Sequence, residues 1–212
     1  MNDDIDQLCA NLGLKRMREV MTRELARAGE TGCAAEEVVA RLLREQWQHH
    51  QERSLVYRLE HAKIPERWEL DTFPFDRQPG VRKAQIMQLA NLDFVAAGTN
   101  VVFVGDPGTG KTGLATGLLL QALRSGQRGR FIKAQDLFDE MYASLADRGT
   151  KRFVDQLAAY PVLCIDELSY LTLRPEQASL FFRLMDARHV HRRATLITTN
   201  LPYDAWARLL DS

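Results

Sequence analysis

The sequence predicts an α/β fold, a parallel sheet flanked by helices, behind an N-terminal helical domain. Three observations carry this. Short apolar, β-branched runs near residues 100–104, 130–132, 162–165 and 194–199 alternate with longer stretches of helical spacing, the pattern of βαβ units. The first of these runs leads through a glycine-rich loop into a helical pattern. Residues 1–63, in contrast, carry apolar side chains at helical spacing.

In chain order, Ile5, Leu8, Leu12, Leu14, Met17, Met21 and Leu25 recur at threes and fours. Ala28-Gly29 and Thr31-Gly32 interrupt them, and Val39, Leu43, Trp47 and Tyr57 continue on a second long helix, so a helical hairpin is expected. Arg41, Arg44, Arg53, Arg58 and Lys63 are expected on its outer surface. Glu45, Glu52 and Glu60 are interleaved with them, which favours a solvated, ion-paired face over a nucleic-acid contact. His49 and His50 lack further ligands nearby and read as surface or DNA-facing residues. Ile64-Pro65 closes the region, because the residue before a proline leaves the α conformation. Residues 64–80 contain Pro65, Pro74, Pro79 and Gly80 with Trp68, Phe73 and Phe75, a linker expected to clamp the next domain through its aromatics. Residues 81–212 then form the α/β domain.

The glycine loop reads Gly105-Asp106-Pro107-Gly108-Thr109-Gly110-Lys111-Thr112, the G-x-x-x-x-G-K-T phosphate-binding loop. The run Asn100-Val101-Val102-Phe103-Val104, read as a buried strand, stands before it, and Leu114, Ala115, Leu118, Leu119 and Ala122 follow at helical spacing. Glycines here let the backbone approach phosphate and take dihedrals that a Cβ opposes. Loop amides and the helix N-terminus then face the anion. Lys111 is expected at the β- and γ-phosphates and the Thr112 hydroxyl on Mg²⁺. Gly105 to Gly113 are the candidate nucleotide-binding residues.

After Ser125-Gly126, Arg130–Ile132 reads as a strand, and Leu137, Phe138, Met141 and Leu145 as a helix. Thr150 is placed to cap the next helix, with Phe153, Val154 and Leu157. Val162-Leu163-Cys164-Ile165 runs into Asp166-Glu167, which puts two acids at the carboxyl end of a strand, where open α/β sheets bind ligands. Asp166 fits the Mg²⁺-ordering acid and Glu167 a base acting on water, and alternation along a strand would point them to opposite faces. Pro175 suits the first turn of a helix. That helix ends on Arg188, His189, His191, Arg192 and Arg193, a cluster that either complements the helix C-terminus or meets phosphate. Ala194 to Asn200 reads as the last strand, ending on a polar amide, and Asn200 there can orient water beside a γ-phosphate. Residues 203–210 look helical.

Composition narrows the partners. Lys+Arg and Asp+Glu are both 28 among 212 residues, so any case for nucleic acid must be local. Cys9, Cys33 and Cys164 have no metal-site spacing and fit a reducing cytoplasm. Neither a signal peptide nor a run approaching the ~20 apolar residues of a membrane span is visible.

The order of phosphate loop, apolar-Asp-Glu and strand-Thr-Thr-Asn resembles the AAA+ type of P-loop NTPase, with Asn200 in the sensor-1 place. Phe75-Asp76-Arg77-Gln78-Pro79-Gly80, Ile165-Asp166-Glu167-Leu168-Ser169-Tyr170-Leu171 and Thr198-Thr199-Asn200-Leu201-Pro202-Tyr203-Asp204-Ala205-Trp206 are similar to the IstB-like helper ATPases of insertion sequences, whose near relatives are DnaC-type helicase loaders. The resemblance covers about residues 36–210. It implies an ATP- and Mg²⁺-dependent ATPase with Glu167, Lys111 and Asn200 as catalytic residues and Thr112 and Asp166 as metal ligands. It further implies self-association on double-stranded DNA and recruitment of a transposase. The alternatives are a helicase loader or a nucleotide-dependent binding module with negligible turnover. A small-molecule kinase lacks a visible acceptor pocket and lid, and a GTPase would need an N-K-x-D motif. Two departures stand out: Gly113 replaces a usually larger residue, and the fifth strand, arginine finger and sensor-2 region of such proteins cannot be assigned before Ser212, so the chain reads as either a fragment or a shortened form.

Overall fold

The computed structural model describes residues 3–146, 148–169, 173–202 and 205–206. The chain divides into two compact units, Met1–Tyr57 and Arg58–Ser212.

The first unit holds α1 (Asp3–Asn11), α2 (Lys15–Thr31) and most of α3 (Ala35–Ala62). The expected hairpin is therefore a three-helix arrangement. The extra break falls at Gly13, whose φ of 69° is left-handed and ends α1. Gly29 does not interrupt α2, which ends where Gly32, at φ 63°, donates its N–H back to Ala28 O. Cys9, Val20, Met21, Val38 and Leu42 form the core. The stripe expected to pack, Val39, Leu43 and Trp47, is exposed instead. Apolar residues occupy adjacent positions on α3, 38–39 and 42–43, so spacing alone could not choose the buried face. Arg41 is likewise tied into the unit, 3.5 Å from Glu24 and 3.7 Å from Glu37.

The division between units falls inside α3, six residues before the boundary expected from Ile64-Pro65. Arg58 Nε donates to Leu123 O at 2.8 Å, which places the last turn of the helix with the second unit.

The second unit is built on β1 (Val101–Val104), β2 (Gly129–Lys133), β3 (Val162–Asp166) and β4 (Ala194–Thr199), all parallel in the order β1-β4-β3-β2. Central strands β3 and β4 are buried along their whole length, which explains their nearly continuous apolar text. Two apolar layers follow from strand alternation. Val162, Cys164, Ala194 and Leu196 pack with α6 (Lys111–Arg124), α4 (Lys83–Leu89) and α5 (Asp93–Ala97). Leu163, Ile165 and Ile197 pack with α7 (Ala134–Ala146), α8 (Thr150–Ala158) and α9 (Pro175–Val190).

Residues 64–80 are more than a connection. Leu70 and Phe73 are buried in the first of these layers, at 8% and 6% exposure. Thr150 begins α8 rather than capping it; its hydroxyl donates to Ser144 O at 3.0 Å. Pro175 opens α9 as expected.

The basic cluster at the end of α9 does not form the single surface expected of it. Arg188 is 1% exposed and cannot meet a ligand phosphate. Its guanidinium donates to Thr195 Oγ1, Leu157 O, Tyr160 O and Ala194 O, joining α8, α9 and β4. Burial, helped by the neighbouring charge of Arg193, pulls its pKa down to about 9. His189, His191 and Arg192 remain exposed. The helix expected over 203–210 lies outside the described residues apart from Ala205 and Trp206.

Candidate functional site

The phosphate loop leaves the end of β1 and enters α6, while the ends of β3 and β4 lie beside it. Gly105 N donates to Thr199 O at 3.2 Å, which ties the loop's first residue to β4. The loop then folds on its own carbonyl: Thr109 Oγ1 and Lys111 Nζ both donate to Asp106 O, at 2.8 and 2.7 Å. Gly108 and Gly110 have φ of 81° and 80°, so the expected left-handed conformations fall on these two and not on Gly105. Gly110 has a second reason to lack a side chain, since a Cβ there would stand 2.6 Å from Phe73 Cζ.

Phe73 belongs to the strap of residues 66–78 that lies over the start of α6. Trp68 covers Gly113, where a Cβ would come within 3.3 Å of the indole. Leu70 presses on Gly117 in the same way, at 2.6 Å. The small residue at 113 therefore makes room for the strap. Gln78 Nε2 adds a contact to Gly108 O at 3.4 Å.

The two acids are separated differently from the expectation. Asp166 is the last residue of β3 and is 3% exposed. Its Oδ1 accepts from Thr112 Oγ1 at 2.8 Å and from Thr198 Oγ1 at 2.6 Å. Glu167 is already past the strand, exposed, with a left-handed φ of 59°. A turn, not strand alternation, divides the carboxylates. Glu167 N donates to Thr198 Oγ1 at 2.8 Å and Leu168 N to Thr198 O at 2.9 Å, which holds that turn against β4. Thr199 Oγ1 donates to Leu168 O, and Leu201 N donates to Thr199 Oγ1 at 3.0 Å.

These elements enclose a cleft of about 770 Å³. Pro107, Gly108, Gly110, Lys111, Thr112 and Gly113 line it from the loop and α6, and Glu167, Thr198, Thr199 and Asn200 from the strand ends. Trp68 and Phe73, with Pro74 beside them, form an aromatic wall. Among the expected nucleotide-binding residues, Gly105, Asp106 and Thr109 are not part of the lining and shape the loop instead. Asp166 sits beneath Thr112. Sequence reasoning did not find Lys133, which ends β2 in register with Asp166 and lines the cleft. Nor did it give a role to Thr198, one of three threonines in β4.

The pairing of Thr112 and Asp166 fits a hard divalent cation. Two oxygens stand 2.8 Å apart, one an anionic carboxylate largely withdrawn from water. No cluster of three or more His, Cys, Asp or Glu exists among the described residues, so a Mg²⁺ held here would draw its remaining ligands from substrate and water. No helix among the described residues is long and apolar enough to cross a membrane.

Comparison with known proteins agrees with this architecture. The chain is 29% identical over 206 residues to the insertion sequence IS21 putative ATP-binding protein of Pseudomonas aeruginosa, covering 97% of this chain and 77% of that protein. It is 30% identical over 210 residues to the IS5376 putative ATP-binding protein of Geobacillus stearothermophilus, covering 99% and 83%. To the IS232 protein of Bacillus thuringiensis subsp. berliner it is 36% identical over 143 residues, 68% of this chain but only 57% of that protein. Among solved structures, the DnaC helicase loader superposes with a TM-score of 0.54 at 27% identity, covering 61% of this chain and 78% of the loader. AMPPCP-bound DnaA from Aquifex aeolicus, at 15% identity and a TM-score of 0.57 over 66% of this chain and 43% of its own, shares the fold. The profile of the family described as IstB-like ATP binding protein matches residues 7–212, and the chain therefore belongs to that family of insertion-sequence proteins.

Proposed function

We propose that this protein binds and hydrolyses ATP with Mg²⁺, and that the nucleotide state governs its assembly on double-stranded DNA and its recruitment of a transposase. The observation that carries the catalytic part is the convergence of Lys111, Thr112, Glu167 and Asn200 on one cleft, with Asp166 hydrogen-bonded under Thr112. Phosphates would lie against the loop amides, with Lys111 released from Asp106 O to pair with the β- and γ-oxygens. Bound Mg²⁺ would supply charge neutralisation at the phosphates, held by Thr112 and Asp166. Glu167 is exposed at the cleft and free of the strand, as a base acting on water must be. Asn200 follows the end of β4 and would orient that water. The aromatic wall gives Trp68 as the platform for the base. Glu66 and Gln78 line the same cleft and offer polar groups to its edge.

DNA and transposase enter through the family's insertion-sequence membership. The likeness to the DnaC helicase loader favours one second reading, in which the partner is a replicative helicase. The experiment measures Mg·ATP binding and single-turnover hydrolysis with and without duplex DNA, followed by capture of the transposase and of the helicase. Binding with phosphate release supports the ATPase. Binding without release in the presence of DNA replaces it with a nucleotide-dependent binding module. Capture of the helicase alone replaces the transposition role.

A further inference from the structure

We propose that Thr198 is a positioning residue that sets both acids at once: it aims the Asp166 carboxylate and holds the Glu167 backbone in the turn that carries its side chain into the cleft. The inference rests on the ATPase reading above and goes beyond its residues. A hydroxyl has one proton and two acceptor positions. Glu167 N–H can only donate, so the Thr198 hydroxyl accepts from it, at 2.8 Å, and its single proton goes to Asp166 Oδ1, at 2.6 Å. Thr112 sends its own proton to the same carboxylate oxygen, at 2.8 Å, which leaves the Thr112 lone pairs for a cation. Thr198 is 1% exposed, with its carbonyl taken by Leu168 N–H at 2.9 Å, so it has little freedom to relax. Glutamate in a left-handed conformation is disfavoured, and the hydrogen bonds from 167 and 168 to one residue of β4 offset this. Thr198 is therefore a rigid joint between the metal-side acid and the water-side acid.

Removing such an outer hydrogen bond costs about 10–100-fold in metal affinity or activity in metal sites generally. Thr198→Val keeps the shape and deletes the hydroxyl; Thr198→Ser restores it. ATP affinity is measured in EDTA and in Mg²⁺, beside single-turnover hydrolysis and thermal unfolding. For Thr198→Val, affinity in EDTA should stay within about twofold of wild type, because the phosphate loop is untouched. The gain in affinity that Mg²⁺ confers should shrink about tenfold, and hydrolysis should fall by about 10²-fold. Thr198→Ser should recover both to within a few-fold. An unchanged Mg²⁺ gain in Thr198→Val overturns the proposal, as does equal loss in EDTA and Mg²⁺, which marks a general fold defect. Failure of serine to restore function also overturns it. Should wild type bind Mg·ATP without hydrolysing it, the ATPase reading fails, and the Mg²⁺ gain alone still decides the role of Thr198.

Discussion

Lys111 shows how little of a residue's chemistry is visible in a motif. Its ammonium is held by the carbonyl of Asp106, at 2.7 Å, a neutral partner that an anionic phosphate would readily replace. Lys111→Ala should therefore weaken ATP binding at least about tenfold, since hydrogen bonds to charged groups contribute ~1.5–3 kcal/mol. Titration of the folded variant with ATP checks this, and an unaltered affinity removes Lys111 from the site. The acids call for a paired test. Glu167→Gln leaves Thr112 and Asp166 in place, so Mg·ATP should bind while single-turnover hydrolysis drops by about 10²–10⁴-fold. Asp166→Asn should instead lower the Mg²⁺-dependent affinity itself. Wild-type hydrolysis by Glu167→Gln would contradict the assignment of the base. The identity of both acids was legible from four apolar residues running into Asp-Glu. The manner of their separation was not, because a left-handed turn at a glutamate has no sequence signal.

The strap of residues 66–78 is the element that sequence reasoning placed but did not understand. Its prolines and aromatics suggested a clamp. Only the structure pairs Trp68 with Gly113, Leu70 with Gly117 and Phe73 with Gly110, so that three glycines of the loop and helix make room for the strap. If Trp68 is the base platform, Trp68→Ala should lose about tenfold or more in ATP affinity, since base–aromatic stacking is worth ~1–3 kcal/mol. Affinity for inorganic tripolyphosphate should be unaffected and Trp68→Phe should lose less. Equal ATP binding by Trp68→Ala and wild type would remove the indole from the nucleotide site. The C-terminal turn of α9 teaches the opposite lesson. Five basic residues in six positions looked like one surface, yet Arg188 turns inward and links three elements through backbone carbonyls. Helical phase, not composition, decides which member of a charged run is buried.

At the scale of the molecule, two units with separate cores share the chain. Loss of Arg188 and Arg41 from the exposed set reduces the local basic surface that a nucleic-acid partner would meet. DNA binding through the exposed basic residues that remain should be ATP-promoted, weakly sequence-selective and weakened by salt, since phosphate contacts dominate such affinity. Binding isotherms on unrelated duplexes between low and moderate salt test this, and affinity independent of salt or restricted to one sequence would contradict it.

By itself the sequence determined the parallel α/β class, the phosphate loop with its flanking strand and helix, and the acid pair at a strand end. The loop and the acid pair are encoded by residue type within about a dozen positions, and the class by the alternation of short local runs along the chain. Tertiary structure decided which face of α3 is buried, why residue 113 is glycine, that Arg188 is internal, and that Thr198 joins the two acids. Those facts depend on side chains far apart in the chain, such as Thr112, Asp166 and Thr198, that become neighbours only when β3, β4 and α6 pack together.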